Sequence, residues 1–136
     1  MDTTPIIHAL WAAKKNCYLP VVTPAPQKSL QFALYTPDST LISNRYQITE
    51  PDAGGKFFSH AKLDCVLLPL CGFDLQGHRL GSGGGYYDRT FAGKLQRDRP
   101  VLIGVGYQLQ AVAALPADDW DVTLEGVLTE TKILKF

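Results

Sequence analysis

Four of the five positions from Gly81 to Gly85 are glycine, and the run is framed by Arg79 on one side and by Tyr86, Tyr87 and Asp88 on the other. Glycine weakens both helices and strands, so Gly81-Ser82-Gly83-Gly84-Gly85 reads as a loop. The upstream run Asp64-Cys65-Val66-Leu67-Leu68-Pro69-Leu70 reads as a buried strand, and Tyr86 to Leu95 can run as a helix. A strand, a glycine loop and a helix start make a phosphate cradle. Backbone N–H groups can turn inward, no Cβ blocks an anion, and the helix start adds oriented N–H groups. Arg79 can hold phosphate oxygens bidentately. Asp88 is an oxygen ligand suited to a magnesium ion that bridges phosphates.

Taken as spacing alone the loop is a weak motif. No Gly-Lys-Ser/Thr closes it, and no early βαβ unit surrounds it as in a dinucleotide site. A flexible surface loop is the plain alternative. The flanks argue against it, since a linker has no need of Arg, Tyr-Tyr and Asp at its ends.

The chain has 136 residues, enough for one domain with a core, and its charges balance to zero. That balance gives no electrostatic reason to expect nucleic acid or an acidic membrane surface as partner. No apolar run reaches membrane-spanning length, and Met1-Asp2-Thr3-Thr4-Pro5 lacks the basic start of a signal peptide. Cys17, Cys65 and Cys71 are odd in number and lie in or beside apolar runs. Buried, reduced thiols in a cytoplasmic protein are the expectation.

Thr4 as N-cap and Pro5 at the first helical position predict a helix, with Ile6, Ile7, Leu10 and Trp11 on one face and Asn16 ending it. Lys14-Lys15 reads as a solvated helix end. Cys17 to Val22 predicts a strand stopped by Thr23-Pro24-Ala25-Pro26, and Leu30 to Tyr35 a half-buried one. Pro37 to Asn44 reads as a loop, and Asp52 to His60 as an exposed connection with a short helical turn. Val66 to Leu70 is expected to be the central strand. Pro100 to Tyr107 predicts a strand, Gln108 to Leu115 a short helix closed by Pro116, and Val122 to Leu128 a last extended segment. Alternation of apolar strands with helices predicts an α/β fold, with three layers (α/β/α) about a mostly parallel or mixed sheet. Glu50 before Pro51 reads as a structural turn residue, and His8, His60 and His78 as ordinary, non-ligand histidines.

The run Phe73-Asp74-Leu75-Gln76-Gly77-His78-Arg79-Leu80-Gly81-Ser82-Gly83-Gly84-Gly85-Tyr86-Tyr87-Asp88-Arg89 resembles the signature of the 5-formyltetrahydrofolate cyclo-ligase (methenyltetrahydrofolate synthetase) family. Tyr18-Leu19-Pro20, Ile48-Thr49-Glu50-Pro51, Leu67-Leu68-Pro69-Leu70, Gln108, Leu115-Pro116, Trp120-Asp121 and Val127-Leu128-Thr129 resemble other family segments in the same order. The resemblance covers the chain from about Asp2 onward. It implies one cyclo-ligase-like domain over residues 1–136, of a fold resembling the sugar-phosphate isomerase and CoA-transferase type. It implies ATP- and magnesium-dependent conversion of 5-formyltetrahydrofolate to 5,10-methenyltetrahydrofolate, with release of ADP and phosphate.

Carried over residue by residue, Arg79, Leu80, Gly81, Ser82, Gly83, Gly84, Gly85, Tyr86 and Tyr87 would line the ATP phosphates. Ser82 through Tyr86 would also touch the folate. Arg79 and Tyr86 are the catalytic candidates; Asp88 and Asp121 are the metal candidates. Tyr86 or Tyr87 could stack on the pteridine or the adenine. Second readings stay open for three of these. Asp88 could be a solvated acid paired with Arg89 or Lys94, Asp121 a turn acid after Pro116, and Tyr87 a core residue.

Family members carry a leading helix with a lysine and an arginine for the ATP phosphates, a strand, and a Glu-x-x-Thr turn whose threonine Thr3 matches. The chain is therefore expected to be N-terminally truncated relative to the family. It would be either a shortened cyclo-ligase or a short paralogue that binds nucleotide or phosphate without catalysis. Little activity by itself is expected, as a monomer or self-associating through the surface left by the missing segment.

Overall fold

Pro5 sets its own φ in the helical range and lacks the amide that a helix start leaves unpaired. Helix α1 (Thr4–Ala12) begins one residue earlier than expected, with Thr3 rather than Thr4 at the N-cap. In this computed structural model, residues 1–24, 26–94 and 98–136 are described. They form two compact units, Asp2–His60, and Ala61–Phe136 together with Met1.

In the first unit, Asp2 Oδ1 accepts the Thr4 N–H at 2.9 Å, so the acid two residues back serves the amide of the expected cap, Thr4. The helix stops before Asn16. Lys14 takes a left-handed φ of 57°, and the N–H groups of Lys14 and Lys15 donate to Trp11 O and Leu10 O, both at 2.9 Å. That pair of bonds is a Schellman closure, which satisfies carbonyls that a frayed end would expose. Strands β1 (Cys17–Val22) and β2 (Leu30–Tyr35) are antiparallel, with Cys17 opposite Tyr35 and Val22 opposite Leu30. Thr23 closes the hairpin by donating from Oγ1 to Ser29 O at 2.9 Å. Ala25, part of the expected stop, lies outside the described residues. Trp11 Nε1 donates to Tyr35 O at 3.0 Å, which ties α1 to β2.

The expected loop at Pro37 to Asn44 contains β3 (Leu41–Ser43), which pairs antiparallel with β4 (Thr49–Pro51). Strands of three residues are too short to show alternation in sequence. Glu50 is buried, and its Oε2 accepts the Val22 N–H at 3.3 Å and Asn44 Nδ2 at 3.1 Å. Expected from sequence to be a turn residue, it lies instead in strand β4, where these bonds tie it to β1 and to Asn44. Glu50→Ala would leave both donors unmet and is expected to destabilise the chain by roughly 1–3 kcal/mol. An unshifted urea midpoint would show that the two bonds contribute nothing. The connection after β4 is exposed as expected, except that Phe58 returns to β2, its N–H donating to Phe32 O at 2.8 Å.

The second unit contains β5 (Cys65–Pro69), β6 (Gly72–Phe73), β7 (Arg79–Leu80), α2 (Tyr86–Thr90), β8 (Val101–Val105), β9 (Gly126–Leu128) and β10 (Ile133–Lys135). Four of these strands form a mixed sheet in the order β5-β8-β9-β10. The first three run parallel and β10 antiparallel. This is the mixed-sheet α/β arrangement expected. The strand expected to be central, Val66 to Leu70, is instead the end strand β5 of this sheet. Leu68, Leu102, Leu124 and Val127 are fully buried around it. Gly104 leaves room for Leu70 and Leu124, since a Cβ there would come within 2.6 Å of Leu70 Cδ2 and 2.8 Å of Leu124 Cδ1.

Three expectations fail here for tertiary reasons. Residues 108–115 form only a 3-10 turn, Gln108–Gln110. Gln110 Nε2 donates to Leu70 O at 3.1 Å and the Val112 N–H to Phe73 O at 2.9 Å, which hold the following chain extended beside β6. Helix α2 ends at Thr90, where the turn through Gly93 (φ 78°) begins, and Leu95 lies outside the described residues. All three cysteines are free, but only Cys17 is buried; Cys65 and Cys71 are exposed. No described helix is long and apolar enough to cross a membrane.

Candidate functional site

Strand β5 does not lead straight into the glycine loop. The β6–β7 hairpin intervenes, joined back by the Cys71 N–H donating to Leu80 O at 2.7 Å. Its turn is built on Asp74, which is fully buried. Oδ1 accepts the N–H groups of Gln76 at 2.9 Å and His78 at 3.0 Å. Oδ2 accepts His78 Nδ1 and the Leu115 N–H, both at 2.9 Å. An ionised carboxylate only accepts, so Nδ1 carries the His78 proton. Burial alone would raise the Asp74 pKa, but bonds from Leu115, His78 and Gln76 outweigh it and hold the carboxyl below its usual range. Gly77 O accepts the Leu124 N–H at 2.8 Å. The turn therefore binds the chain on both sides of residues 116–123. The Asp-x-x-Gly spacing of Asp74 and Gly77 is a turn signal that went unread in the sequence, and its distant partners have no local signal at all.

Beyond the hairpin, a cleft of about 1220 Å³ is lined by Arg79 through Arg89, by Lys94 and by residues 118–123. Every residue singled out from sequence as a site residue lies on it. The Arg79 side chain is 7% exposed, with its Nη2 donating to Asp88 Oδ2 at 3.3 Å and its guanidinium carbon 5.5 Å from the Tyr87 ring centre. Among the described residues its Nε is buried with no hydrogen-bond partner. Asp88 thus pairs with Arg79, not with Arg89 or Lys94. Arg89 Nη1 donates to Gly84 O at 2.6 Å, and Lys94 Nζ pairs with Glu125 at 2.7 Å.

Gly83 and Gly85 have φ of 97° and 69°, a region that favours glycine. A Cβ on Gly81 would come within 2.8 Å of Arg79 Nη1, so a side chain there would have to displace the guanidinium. Among the described residues, the N–H groups of Gly81 to Gly85 donate to no protein acceptor. The five-residue α2 has too few aligned peptides for the dipole of a longer helix, so an anion placed here would meet the loop amides and Arg79 rather than a helix dipole. Tyr86 lies against Gly84, where a Cβ would meet its Cδ2 at 2.8 Å. Tyr87 is half-buried; burial pushes its phenol pKa up, with Arg79 pulling the other way.

Asp88 Oδ1 accepts the Val122 N–H at 3.1 Å, which joins the loop to the Asp118–Asp121 turn. Asp121 closes that turn, its Oδ2 accepting the Asp118 N–H at 2.9 Å. The two metal candidates therefore stand on one cleft, and Asp121 has the turn role as well. The described residues contain no group of three or more His, Cys, Asp or Glu side chains able to hold a metal. Magnesium commonly takes only one or two carboxylates and completes its shell with water and substrate phosphates. The donor set fits an ion of that kind and not an all-protein cage.

Residues 1–130 match the 5-formyltetrahydrofolate cyclo-ligase family. The 5-formyltetrahydrofolate cyclo-ligase of Escherichia coli (strain K12) is 40% identical over 134 residues, covering 98% of this chain and 73% of the relative. That of Haemophilus influenzae is 39% identical over 129 residues, covering 94% and 68%. Among solved structures, Aquifex aeolicus 5,10-methenyltetrahydrofolate synthetase superposes with a TM-score of 0.78 at 29% identity, covering 99% of this chain and 65% of that one. A Mycoplasma pneumoniae 5,10-methenyltetrahydrofolate synthetase gives 0.66 at 26% identity, covering 93% and 63%. The chain thus spans a little under two thirds of the length of these solved relatives.

Proposed function

Because the chain belongs to the 5-formyltetrahydrofolate cyclo-ligase family, we propose that it closes the ring of 5-formyltetrahydrofolate to 5,10-methenyltetrahydrofolate while ATP becomes ADP and phosphate. The observation that carries this reading is the buried Arg79 guanidinium, with an unpartnered Nε, beside five loop amides that donate to no described acceptor. A buried cation with spare donors is stabilised by an incoming anion, and four of the five loop residues have no side chain to obstruct it.

A formamide oxygen is a poor leaving group. Transfer of the γ-phosphoryl group to it gives an activated carbon, which the neighbouring folate nitrogen attacks, losing its proton as phosphate departs. Arg79 binds phosphoryl oxygens, and the amides of residues 81–85 orient the triphosphate. Tyr86, beside the loop, positions the formyl end of the folate. Asp88 and Asp121 would hold magnesium, which would supply positive charge against the phosphates. The cytoplasm supplies these ligands, and the protein needs neither nucleic acid nor membrane.

The test follows the near-ultraviolet absorbance of the methenyl product, with enough protein to register slow turnover. Product that requires both ATP and magnesium is the expected result. ATP binding with no folate binding and no product would overturn it in favour of a nucleotide-binding paralogue.

A further inference from the structure

Trp120 stands on the same cleft with 70% of its surface exposed. Tryptophan is usually well covered in folded proteins, and Trp11 in this chain is held by Tyr35 O and by two neighbouring rings. Among the described residues, Trp120 stacks on no ring and its Nε1 finds no acceptor.

The turn that presents it is well anchored. Asp118 and Asp121 exchange two hydrogen bonds across it, at 2.9 and 3.1 Å. Val122 is fixed to Asp88, Leu115 to Asp74 and Leu124 to Gly77. An open aromatic face is thus held next to the residues that would grip a triphosphate. The tyrosines are less open. Arg79 lies over the Tyr87 ring, and Tyr86 lies against Gly84.

We propose that Trp120 is a stacking platform for a planar nitrogen-heteroaromatic ring bound in this cleft, and so a ligand-binding residue. The inference rests on the cyclo-ligase reading, which brings two such rings, the adenine of ATP and the pterin of the folate. Stacking of a base on an aromatic side chain tolerates many ring types, because every base has a π-face.

The experiment is calorimetric titration of wild type, Trp120→Ala and Trp120→Phe with three probes: magnesium ATP, magnesium tripolyphosphate, and 5-formyltetrahydrofolate. In Trp120→Ala, one ring-bearing probe should bind about tenfold or more weakly, with Trp120→Phe restoring most of the loss. Tripolyphosphate, which has no ring, should bind as to wild type. Weakening of ATP assigns the platform to adenine; weakening of the folate assigns it to pterin. The inference is overturned if neither ring-bearing probe weakens. It is equally overturned if tripolyphosphate weakens in parallel, since Trp120 would then act through the loop. Wild type that binds neither ATP nor folate would instead sink the functional reading, and this inference with it.

Discussion

Replacing Arg79 with alanine is expected to lower kcat/KM for ring closure by roughly a hundred- to a thousandfold, the usual loss when one preorganised donor to a developing charge is removed. Arg79 is 7% exposed, and its described partners are one carboxylate at 3.3 Å and the face of Tyr87. A guanidinium so placed, with a spare inward donor, interacts strongly with an added anion because little water screens it. Arg79→Lys keeps the charge and loses the planar fork, so it should fall between wild type and alanine. The fold should survive both changes. Asp88 keeps its second anchor, the Val122 N–H, and thermal unfolding monitors this directly. An alanine variant within threefold of wild type in kcat/KM would remove Arg79 from the chemistry.

The largest stability effect is expected at Asp74. Asp74→Ala removes a fully buried acceptor from four donors and should cost about 3 kcal/mol or more. Asp74→Asn keeps one carbonyl oxygen for the turn and should cost less. The pH dependence has a definite sign. The folded pKa lies below the unfolded value of about 3.9, so the carboxylate contributes its full stability above that value and loses it as pH falls through the folded pKa. Urea midpoints of wild type and Asp74→Asn should therefore differ at neutral pH and converge in acid. A constant gap from neutral pH down to pH 3 would mean that the charge of Asp74 contributes nothing.

Elements set by near neighbours were legible in the sequence. Strands β1 and β2 were found because alternation and a proline-rich stop act over a few residues, whereas their pairing came only from the structure; the glycine run at 81–85 was found because no regular element accepts it. The candidate site residues were named from that run and from the resemblance. The helical reading of residues 108–115 was composed from equally local signals and failed. There, Gln110 bonds chain about 40 residues away, and the extended pairing with β6 prevails over a weak helical preference.

What the amino-acid sequence determined by itself is the glycine loop with its flanking Arg79, Tyr86, Tyr87 and Asp88, since a glycine's missing Cβ and a side chain's charge are properties of single residues. Only the tertiary structure decided that Asp88 turns to Arg79, that Asp74 ties the hairpin to Leu115, and that Trp120 faces the same cleft. Those contacts join positions up to 41 residues apart. A long closed loop is stable only when the whole unit packs, so no local pattern encodes which partners it brings together.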